Sequence, residues 1–326
     1  MIPFDYRRAD DARSAVATVA DRPGAVFLGA GTNLVDHMKL GVASPDLVVD
    51  VSRLPFDAIE PLGGGVRVGA TVRNSDLAAD PVIRQRYPML SAALLAGASG
   101  QLRNLATTAG NLLQRTRCVY FQDVTTPCNK RRLGSGCSAL DGYTRDHAIL
   151  GASPHCVAVH PSDMAVALTA LDAVVQVEGP NGPRSVPITE LYRLPGDQPQ
   201  RDTVLEHGEL ITAVDLPELP TAARSAYRKV RDRASYAFAL VSVAAAVDVT
   251  NGTIREARIA LGGVAHRPWR ARRTEDALRG APATEEAFRQ AAEAELAEAR
   301  PLRDNAFKVP MARNTLVSVL RGLTQE

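Results

Sequence analysis

The sequence predicts an α+β protein made of more than one compact unit, and three observations lead to this prediction. Short apolar strands alternate with glycine turns and helices in the first half, whereas a small sheet followed by helices closes the chain. The length of 326 residues suits two or three units better than one. With 45% hydrophobic and 23% charged residues, the composition is that of a globular protein, which excludes wholesale disorder.

Charge and hydropathy exclude several classes of protein. The formal net charge of +2 is too balanced for a protein that mainly grips nucleic acid. The longest apolar stretch, residues 236–247, is interrupted by Ser242 and is too short to span a bilayer. The pair Arg7-Arg8 is followed by Asp10 and Asp11 without an apolar segment, so we expect no export signal and no membrane span.

The first element is a strand at 25–28 that leads into a glycine turn. A helix at 34–40 and a strand at 47–51 follow, an order that suggests a Rossmann unit with Asp50 as the ribose-binding acid. Leu34, however, occupies the position of the third glycine, and a plain tight turn is the alternative. In a binding loop, the glycines would let backbone N–H groups approach a pyrophosphate, and Thr32 and Asn33 would add hydrogen bonds.

Later segments of the chain could complete such a binding site. A strand at 66–71 precedes a helix for which Asn74 or Ser75 is the expected N-cap. The small residues of 106–113 suit close packing against a flat or phosphorylated ligand, although a tight loop between helices has the same composition. Asp163 stands before an apolar helix at 165–171, where it could cap the helix or hold a ligand hydroxyl; capping is the commoner fate.

All four cysteines of the chain lie close together in sequence, with nine, eight and 18 residues between successive ones. They are Cys118, Cys128, Cys137 and Cys156. Three interpretations compete: two disulfides, a zinc site without the usual C-x2-C knuckle, and an iron–sulfur cluster held by four thiolates. Neighbouring arginines and lysines supply positive charge where thiolates would collect negative charge, which favours the cluster. Four unrelated thiols are the remaining alternative.

The second half of the chain reads as two further groups of elements. A hairpin turns at Asn181-Gly182, and a strand at 210–216 ends before Pro217. Strands at 240–249 and 253–261 then pair across Asn251-Gly252, and helices at 284–299 and 312–320 follow. We expect a three-stranded sheet with helices on one side. The arginines around Trp269 are expected to form a solvated or subunit-facing surface, not a nucleic-acid patch.

Four motifs in this order resemble the FAD-binding subunit of the xanthine dehydrogenase (molybdenum hydroxylase) family. They are FLGAGTNL at 27–34, VGAT at 68–71, TTAGNL at 107–112 and HPSDM at 160–164. Residues 226–247 and the C-terminal region fit the same family. Most flavin subunits lack the cysteine segment. The stretches at 110–118 and 128–131 are most similar to the FAD/[4Fe-4S] subunit of bacterial three-subunit aldehyde oxidoreductases.

This resemblance implies the fold and the domain organisation. The fold would be a vanillyl-alcohol-oxidase (PCMH) type FAD-binding domain of two α/β subdomains, followed by a small C-terminal α+β domain, and not a Rossmann domain. We expect FAD-binding subdomain 1 at 1–55 and subdomain 2 at 56–219, with a cysteine-bearing insert at 115–157. The C-terminal flavoprotein domain would span 220–326.

The resemblance also implies site residues. The pyrophosphate of FAD would be wrapped by the loop of Phe27, Leu28, Gly29, Ala30, Gly31, Thr32, Asn33 and Leu34. The ribityl chain and ring would be approached by Thr107, Thr108, Gly110, Asn111 and Gln114, with Thr71 as a further cofactor contact. Asp163 would hydrogen-bond the ribityl or diphosphate region, and Leu210 and Lys229 match positions near the isoalloxazine. The four cysteines would hold a [4Fe-4S] cluster, and no side chain is expected to be catalytic by itself.

The family implies an electron-transfer subunit of a molybdenum hydroxylase, with FAD and a [4Fe-4S] cluster as its cofactors. Its partners would be a molybdenum-cofactor large subunit, a [2Fe-2S] small subunit and an external electron acceptor. The complex would be cytoplasmic, or periplasmic if exported on a partner's signal. The alternatives are an NAD-dependent Rossmann oxidoreductase with a structural zinc loop, and a scaffold whose cofactor sites have decayed.

Overall fold

The computed structural model describes residues 1–325, which form three sheets and the helices packed on them. Its strands are β1 (Asp5–Arg8), β2 (Ala25–Leu28), β3 (Leu47–Asp50), β4 (Ile59–Leu62), β5 (Gly65–Gly69), β6 (Val174–Gly179), β7 (Gly182–Pro187), β8 (Leu210–Leu216), β9 (Ser225–Val230), β10 (Val241–Thr250), β11 (Thr253–Gly262) and β12 (Trp269–Arg270). Its first helices are α1 (Ala12–Ala20), α2 (Leu34–Lys39), α3 (Asn74–Ala79), α4 (Pro81–Arg86), α5 (Pro88–Ala96), α6 (Gly100–Arg103), α7 (Thr108–Leu112) and α8 (Val119–Gln122). The later helices are α9 (Asp163–Ala170), α10 (Ile188–Leu191), α11 (Arg272–Leu278), α12 (Glu285–Leu296) and α13 (Lys308–Thr324), and a 3-10 turn spans Pro220–Ala223.

The first sheet contains three parallel strands in the order β1-β3-β2. The central strand β3 carries Leu47, Val48 and Val49, all at most 2% exposed, as expected for a parallel strand covered on both faces. Helix α1 begins at its N-cap Asp11, whose side chain accepts from Ser14 N, and packs its apolar face on this sheet. The predicted strand at 25–28 is confirmed, and it delivers the glycine turn directly to the sheet edge.

The second sheet has five antiparallel strands in the order β4-β5-β8-β6-β7. Strand β8 pairs with both β5 and β6, so the predicted strand at 210–216 is central. A Cβ on Gly65 would lie 2.1 Å from the carbonyl oxygen of Leu216, which explains a glycine at this close approach. Helices α5 and α9 pack on each other and on the strands β9, β10 and β11, and they supply much of the largest apolar core.

The third sheet is antiparallel in the order β12-β11-β10-β9, with helices α11, α12 and α13 packed on it. The sequence predicted three strands, and the structure adds the two-residue β12 next to β11. Asn251 and Gly252 both have positive φ at the turn between β10 and β11, as a tight hairpin requires. Arg270 is part of an internal ion network with Asp172 and Glu275 instead of the expected exposed surface.

The cysteine segment, residues 113–162, contains turns and the short helix α8 but no strand among its described residues. Main-chain hydrogen bonds from Ile149 N and Leu150 N to Val264 O attach it to the chain just after β11. The buried ammonium of Lys308 also donates to His147 O and Gly263 O. These contacts fix a segment that has little regular structure of its own.

The domain boundaries at residues 55 and 219 and the insert at 115–157 stay predictions. Within residues 1–325, no helix has both the length and the apolar character needed to cross a bilayer.

Candidate functional site

A cleft of three joined chambers runs between the sheets. The first chamber is lined by the loop of residues 27–34 together with Thr71, Thr107, Gly110 and Leu210. The second chamber shares Thr32, Asn33 and Gly110 with the first. Its other lining residues include Asn74, Asn111, Gln114, Asp163, Lys229 and Phe238. The chambers measure about 230 Å³ and 200 Å³, so a dinucleotide would have to extend through both.

The glycine turn owes its shape to two contacts. Gly31 has φ +77°, and a Cβ there would lie 2.9 Å from Val35 Cγ2, so a larger residue would displace the turn. The side chain of Asn33 accepts from Arg115 N at 2.9 Å and does not cap helix α2. This long-range bond joins the loop to the beginning of the cysteine segment.

Helix α7 brings the second small-residue motif against the first. Thr107 is its N-cap and accepts from Gly110 N at 3.2 Å. A Cβ on Gly29 would lie 3.1 Å from the same Thr107 oxygen, so the two motifs approach closely only because glycine stands there. Thr108 is 1% exposed and donates to Val72 O. The described contacts therefore give Thr108 a structural role, since it lines none of the chambers.

A network of amide and hydroxyl groups forms one wall of the second chamber. The Asn111 oxygen accepts from Gln114 at 2.9 Å and from Ser162 at 2.6 Å, and the Asn111 amide donates to Asn74. Asn74 is 2% exposed, and its Nδ2 has no hydrogen-bond partner. A buried donor left unpaired in a chamber wall fits a bound polar ligand. The sequence offered Asn74 only as a cap, but Arg73 occupies that position.

Asp163 is the buried acid of the cleft. Ser162, not Asp163, caps helix α9, which leaves the Asp163 carboxylate to accept from Lys229 Nζ at 2.8 Å and from the Tyr227 hydroxyl. Burial and the Asp163 charge raise the pKa of Tyr227 well above its ordinary value. Lys229 lies with Asp163 in the second chamber whereas Leu210 lies in the first, so the structure separates the two residues predicted near one ring.

The third chamber extends the cleft toward the cysteine segment. It shares Arg117, Asp163 and Phe238 with the second chamber and is also lined by Cys118 and His147. The Arg117 guanidinium lies 5.0 Å from the centre of the Phe238 ring. Neither Arg117 Nε nor His147 Nδ1 has a hydrogen-bond partner. Phe238 and His147 were not predicted from the sequence, because nothing in their local spacing marks them.

All four cysteines line one further, much smaller cavity, together with Phe121, Pro127, Lys130 and Ala139. None of the four forms a disulfide, which removes that interpretation. The backbones of Cys128 and Cys137 form an isolated antiparallel β-bridge. The His147 Nε2 atom lies 3.1 Å from Cys118 Sγ. The segment thus folds so that four thiols distant in sequence face a common space.

Burial governs the protonation of two of these thiols. It raises the pKa of Cys118 to about 12, and it raises the pKa of Cys156 to about 11. Thiolates in this cavity therefore need positive charge beside them, as metal binding would supply. Among residues 1–325, no three His, Cys, Asp or Glu side chains are arranged to hold a single metal ion. This finding supports neither the zinc site nor the iron–sulfur cluster, and the cluster stays a prediction.

Two family matches cover nearly the whole chain. The FAD binding domain in molybdopterin dehydrogenase matches residues 2–219, and the CO dehydrogenase flavoprotein C-terminal domain matches residues 225–323. The chain therefore belongs to the FAD-binding subunits of the xanthine dehydrogenase family. It is the flavoprotein subunit of an oxidoreductase, with the PCMH-type fold that the motifs implied. The family match favours this fold over the Rossmann alternative.

Two curated proteins of known function are similar to this chain. The chain is 51% identical over 323 residues, 98% of each chain, to the aldehyde oxidoreductase FAD-binding subunit PaoB of Escherichia coli K12. It is 28% identical over 273 residues to the glyceraldehyde dehydrogenase medium chain of Sulfolobus acidocaldarius, covering 83% of this chain and 79% of the relative.

A solved structure of carbon monoxide dehydrogenase from Hydrogenophaga pseudoflava superimposes with a TM-score of 0.77. The two sequences are 27% identical, and the superposition covers 100% of this chain and 99% of that chain. In its own preparation, that enzyme lacks the Mo-pyranopterin moiety of the molybdenum cofactor.

Proposed function

We propose that this chain is the FAD- and [4Fe-4S]-containing electron-transfer subunit of a molybdenum-dependent aldehyde oxidoreductase. The identity of 51% over 98% of an aldehyde oxidoreductase FAD-binding subunit supports the aldehyde branch of the family. The observation that carries the cluster is that all four cysteines of the chain line one cavity. A [4Fe-4S] cluster takes four thiolates, and the chain has no cysteine to spare.

FAD would lie in the first and second chambers. The loop of residues 27–34 and the N-terminus of helix α7 would hold the pyrophosphate, as the glycine close approaches allow. Asn74 Nδ2, Asn111 and Gln114 would offer hydrogen bonds to the ribityl region or ring. The Asp163–Lys229 pair would orient a polar group of the cofactor while remaining charge-neutral in the buried wall.

The chemistry belongs to the cofactors, and the protein supplies position, electrostatics and exclusion of water. Bound FAD would exchange both single electrons and electron pairs between its neighbours. The chain itself fixes the cleft, buries the thiols partly or fully and places Lys130 in the wall of their cavity. Electrons would come from a molybdenum-cofactor large subunit through a [2Fe-2S] small subunit and leave to an external acceptor.

The connected cavities support electron exchange between the two cofactor sites. The second and third chambers are adjacent and share the lining residues Arg117 and Phe238, and Cys118 lines both the third chamber and the cysteine cavity. Flavin and cluster would therefore be separated by a few side chains within one subunit.

Cysteine-to-serine variants of the intact complex test the proposal. We expect Cys128→Ser to lose about four iron atoms and four labile sulfides per chain while keeping its FAD, because the cavity and the flavin cleft are distinct. Iron, acid-labile sulfide and flavin are measured in the purified complexes. Val124→Ser, an exposed position in the same segment, is the matched control and should keep all three.

Three results would contradict the proposal. The first is an unaltered complex whose iron is accounted for by the partner's [2Fe-2S] centres. The second is zinc with colourless protein, the result that the Rossmann alternative predicts. The third is a Cys128→Ser variant with unchanged iron.

A further inference from the structure

A buried lysine forms part of the wall of the cysteine cavity. Lys130 follows Cys128 by two residues and lines the cavity together with all four cysteines. Its side chain is 1% exposed. Its Nζ donates to Pro199 O at 2.9 Å and to the carboxylate of Asp202. The fold therefore holds this charge in place, away from water.

Asp202 is shared with a second cation. Arg115 Nε donates to it at 2.8 Å, and the Arg115 guanidinium stacks 4.7 Å from the centre of the Phe121 ring, which also lines the cavity. Burial alone would raise the pKa of Asp202, but Lys130 and Arg115 lower it well below its ordinary value. Two cations against one carboxylate leave an excess positive charge beside the cavity. We call these three residues the Asp202 ion cluster.

The third neighbour of the carboxylate adds no charge. His266 Nε2 lies 3.9 Å from Asp202, but burial, together with the Lys130 charge, lowers the pKa of His266 to about 4. The ring is therefore neutral at pH 7 and leaves the charge of the Asp202 ion cluster unchanged.

We propose that Lys130 raises the reduction potential of the iron–sulfur cluster in this cavity, and that Asp202 opposes it. The inference rests on the proposed function, because it requires a cluster held by the four cysteines. One-electron reduction, by an electron from an upstream centre of the complex, adds one negative charge and moves no atom. A buried cation stabilises that added charge far more than an exposed one does.

The test is a redox titration of the intact complex, followed by the paramagnetic signal of the reduced cluster. Removing the cation in Lys130→Gln should lower the equilibrium constant for reduction about tenfold, which is about 59 mV for a one-electron couple. Removing the anion in Asp202→Asn should raise the constant instead. Opposite shifts separate an electrostatic role from structural damage, which has no reason to follow the sign of the charge.

Two further variants complete the design. Arg132→Gln removes the same charge from an exposed position on the same segment and should change the constant less than twofold, because water screens it. The double variant Lys130→Gln with Asp202→Asn keeps a neutral hydrogen-bonding pair and should lie between the single variants. It also tests the idea if Lys130→Gln alone loses its cluster.

The outcomes are distinguishable. Shifts of opposite sign with an unmoved Arg132→Gln support the inference. Equal shifts, no shift, or loss of the cluster in every Lys130 and Asp202 variant overturn it and leave the proposed function standing. An unaltered complex with no signal beyond the partner's [2Fe-2S] centres overturns both.

Discussion

Charged side chains in the cleft and at the cysteine cavity are held in place by partners that are far away in the sequence. Asp163 accepts from Lys229, 66 residues later, and Lys130 pairs with Asp202, 72 residues later. Each pair keeps a buried charge compensated, because a lone charge in such a site would cost several kcal/mol. The local pattern around Asp163 resembles a helix cap, and the neighbouring Ser162 takes that part.

The buried ring of His37 is expected to make the stability of the protein depend on pH. The ring is 3% exposed and lies edge-on to Phe121 at 5.5 Å. Burial and the cations Arg115 and Arg117 lower its pKa to about 4 from an ordinary value of 6.5. Between these two pKa values, His37 binds a proton in the unfolded chain but not in the folded protein. The free energy of unfolding therefore falls as the pH falls below 6.5.

Urea unfolding of the unaltered protein and of His37→Gln at pH 7 and pH 5 measures this effect. The unaltered protein should lose about 2 kcal/mol more than the variant over that range, because the glutamine cannot titrate. Between pH 7.5 and 8.5, where the histidine is neutral in both states, the difference between the two proteins should stay constant. Parallel loss of stability in both proteins down to pH 5 would show that His37 is not held neutral.

At the scale of elements, the glycine turn between β2 and α2 shapes the first chamber. Gly31→Ala would place a Cβ against Val35 at a positive φ, at a cost of about 1–2 kcal/mol in backbone strain alone. We expect FAD affinity, measured by flavin fluorescence on the deflavinated protein, to fall about tenfold or more.

A matched glycine provides the control for that prediction. Gly182 has φ +98° in the hairpin between β6 and β7, and no atom lies within 4 Å of an added Cβ. Gly182→Ala should lower stability by a similar amount without changing FAD affinity. If both variants bind FAD equally well, the turn at Gly31 does not hold the cofactor.

Elements with strong local signals were predicted well. The strands β2 and β8 have the predicted bounds, and the turn at Asn251-Gly252 is confirmed, since apolar runs and Asn-Gly pairs act through near neighbours. The expected cap at Asn74 or Ser75 was wrong, because Asn74 turns toward Asn111 instead. The short β12 was missed because a two-residue strand carries no periodicity.

At the scale of the whole molecule, the cysteine segment bonds both to the glycine loop, through Asn33, and to the chain just after β11, through Val264. Its turns bring four thiols to one cavity, although the spacing alone left zinc, disulfides and free thiols open. The family resemblance predicts the FAD loops, but the third chamber and the Asp202 ion cluster depend on packing between segments that are far apart in the chain. Such contacts leave no pattern in the sequence.

Anomalous scattering from crystals of the complex, recorded above and below the iron absorption edge, tests the central claim most directly. We predict a compact iron peak enclosed by Cys118, Cys128, Cys137 and Cys156, with FAD density running through the first and second chambers. An empty or zinc-containing cysteine cavity in a complex that retains FAD would contradict it.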